Sequence, residues 1–546
     1  MLQSSLNKIL FGILTTMIIG AVACKKDDPS ADLQPPRLFK PSGVSVKTDS
    51  VSAHITWDAP LRSGGQTINY TAEISTDSNF ATTSMSVKTD TTAVTITEDQ
   101  VALRTKYFIR VKANTYEDQP ESKWLNGASF AINGVQIFLP IRETELTENK
   151  ATLRWRITPG LTDIKLAVKG GTSTTHTLTA DELSTGMTSF TGLVADTGYY
   201  AEIFAGTKSR GFLNFRTGAP TVYSTILNPG DDIAAAINNA ANNDIIGLNP
   251  GTYDAGNTSF VLMQKTITLK STSNDPTDTK VNFKEFTLRG NGAGIKLYGI
   301  DLDGTPSGAL YFINLTGVAA DAELATYTQV IVDNCKVHGA ATSFMRANRG
   351  ANAGDYKMDL IKVNNSIIYN VATGLSYNCF HLDKLEFKTM QVTKSTFYNV
   401  GQALASSSTV LINMPSISFD HCTINNLGGK DKYVLMDANA NPVRFSITNS
   451  IVANIPLPNA TVQATTIRAN GAGTSLSYTN NNHFKLTNGK TTADLAFPTS
   501  NITMIGNNTL DLGWTAETNV FYLPQNSILR TVSSTGGAIG DPRWTY

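Results

Sequence analysis

The chain has 546 residues and a formal net charge of zero, with 44 Lys and Arg against 44 Asp and Glu; 41% of residues are hydrophobic and only 16% charged. That length exceeds a single hydrophobic core and predicts several domains. Low charge with ample apolar content excludes intrinsic disorder and long solvated helices, and the zero balance removes the basic excess expected of a nucleic-acid binder.

Lys8 precedes an apolar run from Ile9 to Ile19, followed by Gly20-Ala21-Val22-Ala23 and then Cys24. A basic start, an apolar segment of this length and a small-residue cleavage site predict a secretory signal over 1–23, too short to span a bilayer. Cys24 directly after Ala21-Val22-Ala23 resembles the lipobox of bacterial lipoproteins, which implies an acylated Cys24 as the new N-terminus. Lys25-Lys26-Asp27-Asp28 is similar to the signal that sends such lipoproteins to the outer face in glycan-degrading bacteria. These resemblances imply a lipid-anchored protein at the surface of the outer membrane, with 24–35 as its linker. Each buried acyl CH₂ adds about 0.8 kcal/mol, so multiple acylation would hold it stably. Cys335, Cys379 and Cys422 form an odd set without metal-site spacing, and read as buried small hydrophobes.

From Pro36 to Gly134 apolar residues alternate as in short strands: Val44, Ile55 and Trp57, then Ile68, Tyr70, Ala72 and Ile74. The stretches around Trp57 and Tyr107 resemble a fibronectin type III sandwich with Trp57 on its second strand. Residues 135–219 resemble a second, more divergent copy, in which Trp155 takes the place of Trp57. Leu193-Val194-Ala195-Asp196-Thr197-Gly198-Tyr199-Tyr200 is similar there to the corner before the sixth strand. Two such modules beside a lipid anchor read first as a stalk, and glycan binding by them stays an alternative.

Asn usage then changes, from 8 residues in 1–220 to 37 in 221–546. Residues 220–546 open with Asp231 as the expected N-cap of a short helix carrying Ile233, Ile237 and Ala240. Asp244-Ile245-Ile246-Gly247-Leu248-Asn249-Pro250-Gly251-Thr252-Tyr253 follows, a strand ending in a turn. This start resembles the N-terminal cap of pectate-lyase-like parallel β-helices. An internal repeat supports stacked coils. Taking Ile300, Cys335, Ser366, Ser395, Cys422 and Ser450 as reference, the residues five before, three before and two after are apolar in all six copies. The residue four after is Gly304, Gly339, Asn370, Asn399, Asn426 or Asn454, the two types that tolerate left-handed backbone. The expected fold is all-β: two fibronectin type III-like β-sandwiches, then a right-handed parallel β-helix with a short N-terminal cap helix.

The whole layout resembles a family of surface lipoproteins from glycan-degrading bacteria, with fibronectin-like modules ahead of a pectate-lyase-like β-helix of unassigned function. The closing Ile539-Gly540-Asp541-Pro542-Arg543-Trp544 is similar to the family's ending. The resemblance implies a glycan context and leaves the reaction open. Lyases acting on uronate polymers need a group that neutralises the carboxylate and a base that removes the neighbouring proton. Lys394-Ser395 is similar to a Lys-Ser stretch of alginate-type and chondroitin-type β-helix lyases, yet no Arg-His pair accompanies it. Lys394 also falls in a turn column with Asn334, Asn365 and Asn449, which His421 shares. Arg346 and Arg349 are assigned to a long loop between coils, and Lys384 to a coil edge. All three are candidate substrate contacts; Lys394, Lys384 and Arg346 are also the candidate catalytic groups. Asp355 and Asp359 are weighed as calcium ligands, calcium being a cofactor only for a lyase.

Charge is uneven. Residues 24–220 carry 21 basic and 21 acidic side chains, 221–335 carry 6 and 12, 336–394 carry 8 and 4, and 395–546 carry 8 and 7. An acidic cap thus precedes basic middle coils. The reading is a surface lipoprotein that binds an acidic, uronate-containing polysaccharide on a β-helix groove, beside other glycan-uptake proteins and without nucleic acid. A polysaccharide lyase and an adhesion or stalk protein are the alternatives.

Overall fold

The computed structural model describes residues 37–374 and 376–545, so the signal segment, Cys24 and the linker up to residue 35 lie outside the described residues. Two compact units are present. Among the described residues, one holds 37–140 with Leu153–Thr188 and Gly198–Arg216; the other holds Ile141–Thr152, Ser189–Thr197 and those from Thr217 onward.

In the first unit, a three-stranded sheet (Ser42–Thr48, Ser52–Asp58, Ala93–Thr97) accompanies a four-stranded one (Met85–Thr89, Tyr70–Ser75, Phe108–Ala113, Leu125–Asn126). Both are antiparallel, and their inward positions, Ile55, Trp57, Tyr70, Ala72, Ile74, Ile109 and Val111, form one buried core. Trp57 lies on the second strand as expected, edge-on to Tyr70 with centroids 5.5 Å apart. A second four-stranded antiparallel sheet follows, in the order Ser173–Thr177, Asp163–Val168, Gly198–Ala205, Lys208–Arg216; Lys150–Arg154 pairs separately with Met187–Thr191. Trp155 and Tyr199 are buried there. The expected pair of fibronectin type III-like sandwiches is what the sheets form.

The remaining strands wind into a parallel β-helix of three sheets. Among the described residues, sheet A has twelve strands, sheet B nine and sheet C eight, and the chain passes repeatedly from A to B to C. The repeat read from the sequence is the register itself. Ile295, Val330, Ile361, Met390, Ile417 and Phe445 pair in series along sheet A, as do Leu297, Val332, Val363, Val392, Phe419 and Ile447. Leu302, Val337, Ile368, Phe397, Ile424 and Val452 do the same along sheet B. All eighteen side chains are buried, because parallel strands about 4.8 Å apart align equivalent residues of successive coils.

The two punctuating columns are turns. Asn370, Asn399, Asn426 and Asn454 have φ between 51° and 56°, and Asn334, Asn365, Lys394, His421 and Asn449 between 47° and 52°. Asn tolerates this left-handed geometry, and its amide can bridge to the next coil. Asn399 Nδ2 donates to Asn370 Oδ1 at 2.5 Å, and Asn454 Nδ2 to Asn425 Oδ1 at 2.7 Å. Cys335, Cys379 and Cys422 are free and buried, and burial pushes the Cys335 thiol up to about 12.

The start of the β-helix is closed and one of its sides is covered. Helix Ile233–Asn239 turns Ile233 and Ile237 inward. Its N-cap is Asp232, whose carboxylate accepts from the Ala235 N–H at 2.9 Å; Asp231 instead accepts from the Asn228 N–H in the preceding turn. The N-cap expectation was one residue early because two adjacent aspartates offer the same chemistry. Lys265 Nζ donates at 2.8 Å to each of the Ile237, Asn238 and Ala240 carbonyls, satisfying orphan acceptors at the helix end. Along the side, the C-terminal segment packs Trp514, Phe521, Leu523, Leu529 and Ile539 over Ile451, Ala453 and Phe484, covering part of sheet B. Buried Asp541 clasps this segment: it accepts from the Thr396 hydroxyl at 2.7 Å and the Arg543 N–H at 2.9 Å.

Short helix Ala180–Thr185 generates a pH prediction. Burial alone would raise the Glu182 pKa, but the Thr179 N–H, the Thr188 hydroxyl and the His176 ring together hold it at about 2. A depressed folded pKa contributes stability above the unfolded value near 4.5 and loses it as pH falls toward 2. Glu182→Gln should therefore lower the melting temperature at neutral pH, with the gap to the parent chain closing as melts are repeated down to about pH 2.

Candidate functional site: the outer face of sheet C

Sheet C alternates an inward and an outward row. Phe286, Ile313, Met345, Phe380, Ala405, Met436 and Ile467 are paired in series and buried. One position later on each strand, Thr287, Asn314, Arg346, His381, Ser406, Asp437 and Arg468 form a polar row, one residue per coil. Backbone pairing fixes adjacent members about 4.8 Å apart. This face thus carries a line of polar groups along the helix axis.

Arg346 is the third member of the row. It ends strand Ser343–Arg346, not a long loop as its polar surroundings in the sequence imply, because Phe344 and Met345 anchor that strand in the core. Its guanidinium carbon lies 5.1 Å from the Tyr311 ring centroid and 5.2 Å from that of Tyr377. Nε donates to Asn348 Oδ1 at 3.0 Å, and Nη1 to the Tyr311 hydroxyl at 3.4 Å. Two aromatic rings hold the cation by cation–π attraction and restrict its orientation. No carboxylate among the described residues pairs with it.

An open cleft of 670 Å³ adjoins this arginine, lined by Tyr311, Thr342, Tyr377, Gln402, Lys430 and Lys432 among others. Tyr311 begins the sheet C strand Tyr311–Thr316, and the others named sit on the loops that enter sheet C. Lys430 and Lys432 are exposed and have no ion-pair partner among the described residues. The cleft therefore carries two lysines whose charge is not cancelled by an ion pair, and Arg346 stands against its two tyrosine rings.

His381 is the next member of the row. Its Nδ1 is 3.2 Å from Ser406 Oγ, its Nε2 is 3.7 Å from Asp383 Oδ2, and its ring centroid is 4.4 Å from that of Tyr377. The side chain retains 12% of its exposure. Burial lowers the imidazole pKa; Asp383 opposes this, while Arg346 and Lys432 lower it further. The ring is thus held neutral at physiological pH. Two coils on, Asp437 takes both nitrogens of Arg468 at 2.8 Å, with Arg468 stacked 4.8 Å from the Tyr433 centroid. That arginine is neutralised.

The other sequence candidates sit elsewhere. Arg349 is paired with Asp321 at 2.7 Å, and Lys384 Nζ donates to the Gly350 and Ala351 carbonyls at 3.1 and 3.2 Å. Both brace the loops that leave sheet C, so Arg346, Arg349 and Lys384 do not form one cluster on the cleft. Lys394 occupies its turn with φ 49° and pairs with Glu143 at 2.9 Å. His421 fills the same turn position one coil later and meets Asp420 at 2.9 Å. Asp355 accepts from the Asn352 N–H at 2.5 Å and Asp359 pairs with Lys388 at 2.8 Å. Among the described residues no three His, Cys, Asp or Glu side chains gather as a metal site. Asp355 and Asp359 are thus engaged separately, and the residues present do not fit the calcium expectation.

Tyr311, Tyr377, His381, Lys430 and Lys432 were not singled out from the sequence. They share a face only after the coils stack, and the loops feeding sheet C vary in length. The basic excess of 336–394 points to the coils that carry Tyr377 and His381, while Tyr311, Lys430 and Lys432 lie outside that stretch.

No family model matches the chain, and no curated protein matches it. Among solved structures it is similar to the PL6 family alginate lyase AlyGC, at 16% identity and a TM-score of 0.35, over 54% of this chain and 41% of the lyase. It is also similar to the chicken CNTN1 FN1–FN3 domains, at 13% identity and a TM-score of 0.16, over 34% of this chain and 68% of that one. A two-domain fibronectin type III segment of chicken tenascin gives 17% identity and a TM-score of 0.17, over 33% and 99%. The chain spans less than half of the lyase it resembles.

Because Lys394 serves a turn and a partly exposed ion pair, Lys394→Ala should shift stability by less than about 1 kcal/mol in a denaturant melt.

Proposed function

We propose that the β-helix captures an acidic polysaccharide along the outer face of sheet C. One observation carries the reading: Arg346 is held against Tyr311 and Tyr377 without a carboxylate partner, beside a cleft that those two rings line together with Lys430 and Lys432. A guanidinium with open donors takes a carboxylate through two parallel hydrogen bonds, and the tyrosines offer apolar surface to sugar rings. The row runs along the helix axis, so an extended polymer meets successive coils. Closure of part of sheet B by the C-terminal segment leaves sheet C as the polar face that this reading uses.

The N-terminal motif supports placing this capture at the cell surface. Cys24 would carry the lipid anchor at the outer membrane, with the sandwiches as spacer and other glycan-uptake proteins as neighbours. Cys24→Ser should abolish incorporation of labelled fatty acid and release the protein from the membrane fraction.

Binding is tested by affinity electrophoresis of the lipid-free protein in polygalacturonate, alginate, hyaluronate and neutral dextran. Retardation is expected in at least one uronate polymer and not in dextran, and it should weaken with salt. A charged hydrogen bond contributes about 1.5–3 kcal/mol, so Arg346→Ala should weaken binding by about tenfold or more. Equal retardation of wild type and Arg346→Ala would refute the site.

A further inference from the structure

The proposed groove carries more than binding requires. Arg346 and His381 occupy neighbouring strands in the same outward row, and Tyr377 touches both: its ring lies 5.2 Å from the guanidinium and 4.4 Å from the imidazole. Among the described residues the Tyr377 hydroxyl makes no hydrogen bond. A cation, an imidazole and a free phenol thus meet beside the cleft, which Tyr377 itself lines. A binding surface would need only the first.

We propose that this trio cleaves the bound uronate polymer by β-elimination, with Arg346 on the carboxylate, His381 as proton acceptor and Tyr377 as proton donor. The inference rests on the acidic-polysaccharide reading above and adds a reaction to it. Pairing of the sugar carboxylate with Arg346 acidifies the proton on the adjacent ring carbon, C5. The imidazole takes that proton, and the C5–H electrons form a double bond to C4. The C4–O glycosidic bond breaks, and its electron pair stays on the leaving oxygen, which takes the Tyr377 hydroxyl proton. The products are an unsaturated uronate end and a new reducing end. Proton return from the imidazolium to the phenolate, directly or through water, resets the site without an oxidant or a reductant.

The groups around His381 suit this role. Its neutral form is favoured by burial and by Arg346 and Lys432, so an acceptor is present at neutral pH. Asp383 at 3.7 Å stabilises the imidazolium once the proton arrives, and Ser406 at 3.2 Å from Nδ1 fixes the ring.

The test incubates wild-type protein with polygalacturonate, alginate or hyaluronate, reading ultraviolet absorbance of unsaturated uronate and retardation of the protein together. Product from a polymer that also retards the protein is expected. His381→Ala and His381→Gln should keep the melting temperature and the retardation, while turnover falls on the order of 10²–10⁴-fold; Tyr377→Phe should lower kcat more than it changes KM. The acid limb of kcat/KM should lie below the ordinary histidine value near 6.5. Retardation without product from wild type would overturn the elimination and leave the binding reading standing. Absence of both would overturn the two together. Turnover that survives in folded His381→Ala and His381→Gln would refute the assigned acceptor.

Discussion

The structure depends on one constraint: a coil of this chain cannot bury its own apolar face. Each three-strand turn presents Ile, Val, Leu or Phe inward, and only the coils above and below complete the shell around it. Parallel backbone pairing supplies the alignment, so equivalent residues from Ile295 to Phe445 fall into one column. A one-residue slip would turn every inward side chain outward, which makes the register expensive to break. The left-handed turns at Asn370, Asn399, Asn426 and Asn454 keep the coil length regular. The cap helix is a consequence, since an open end of such a stack would expose apolar core and unpaired backbone, whereas the Asp541 clasp fastens the C-terminal segment along the side of the coils.

The same alignment that buries one row displays the next. On sheet C, the rigid inward column from Phe286 to Ile467 places Arg346, His381 and Asp437 at strand spacing along the outer face, without help from flexible loops. A regular scaffold therefore sets the separation of polar groups, and the entering loops supply Tyr377, Lys430 and Lys432 around them. Electrostatics divides the row into unlike parts: Arg468 is matched by Asp437, whereas Arg346 faces aromatic rings. Local cancellation at one end and none at the other explains how a chain of zero net charge keeps a cationic cleft.

Legibility followed the physics of each feature. The core columns of sheets A and B were readable because tight turns hold a near-constant interval between them, and burial demands apolar residues at each position. Lys394 and His421 were readable as turn residues for the same reason. Arg346 was misplaced in a loop because its strand is only four residues long, Ser343–Arg346, and is followed at once by polar and glycine-rich sequence. His381 and Ser406 are 25 residues apart, shorter than the neighbouring intervals, so no fixed period reveals the sheet C row. Asp231 and Asp232 differ only in how the chain enters the helix, which composition does not encode.

By itself, the sequence determined that the chain forms sandwiches followed by stacked parallel coils, which residues point inward, and where the backbone turns left-handed. Those are local requirements repeated many times, so each copy reinforces the pattern. Tertiary structure alone decided which charges remain unpaired. It matched Arg349 with Asp321, gave Lys384 to backbone carbonyls, and left Arg346 between two tyrosines from different coils. Whether a charge is free depends on every neighbour that stacking brings within a few ångströms, and those neighbours lie in other coils, at no fixed distance along the chain.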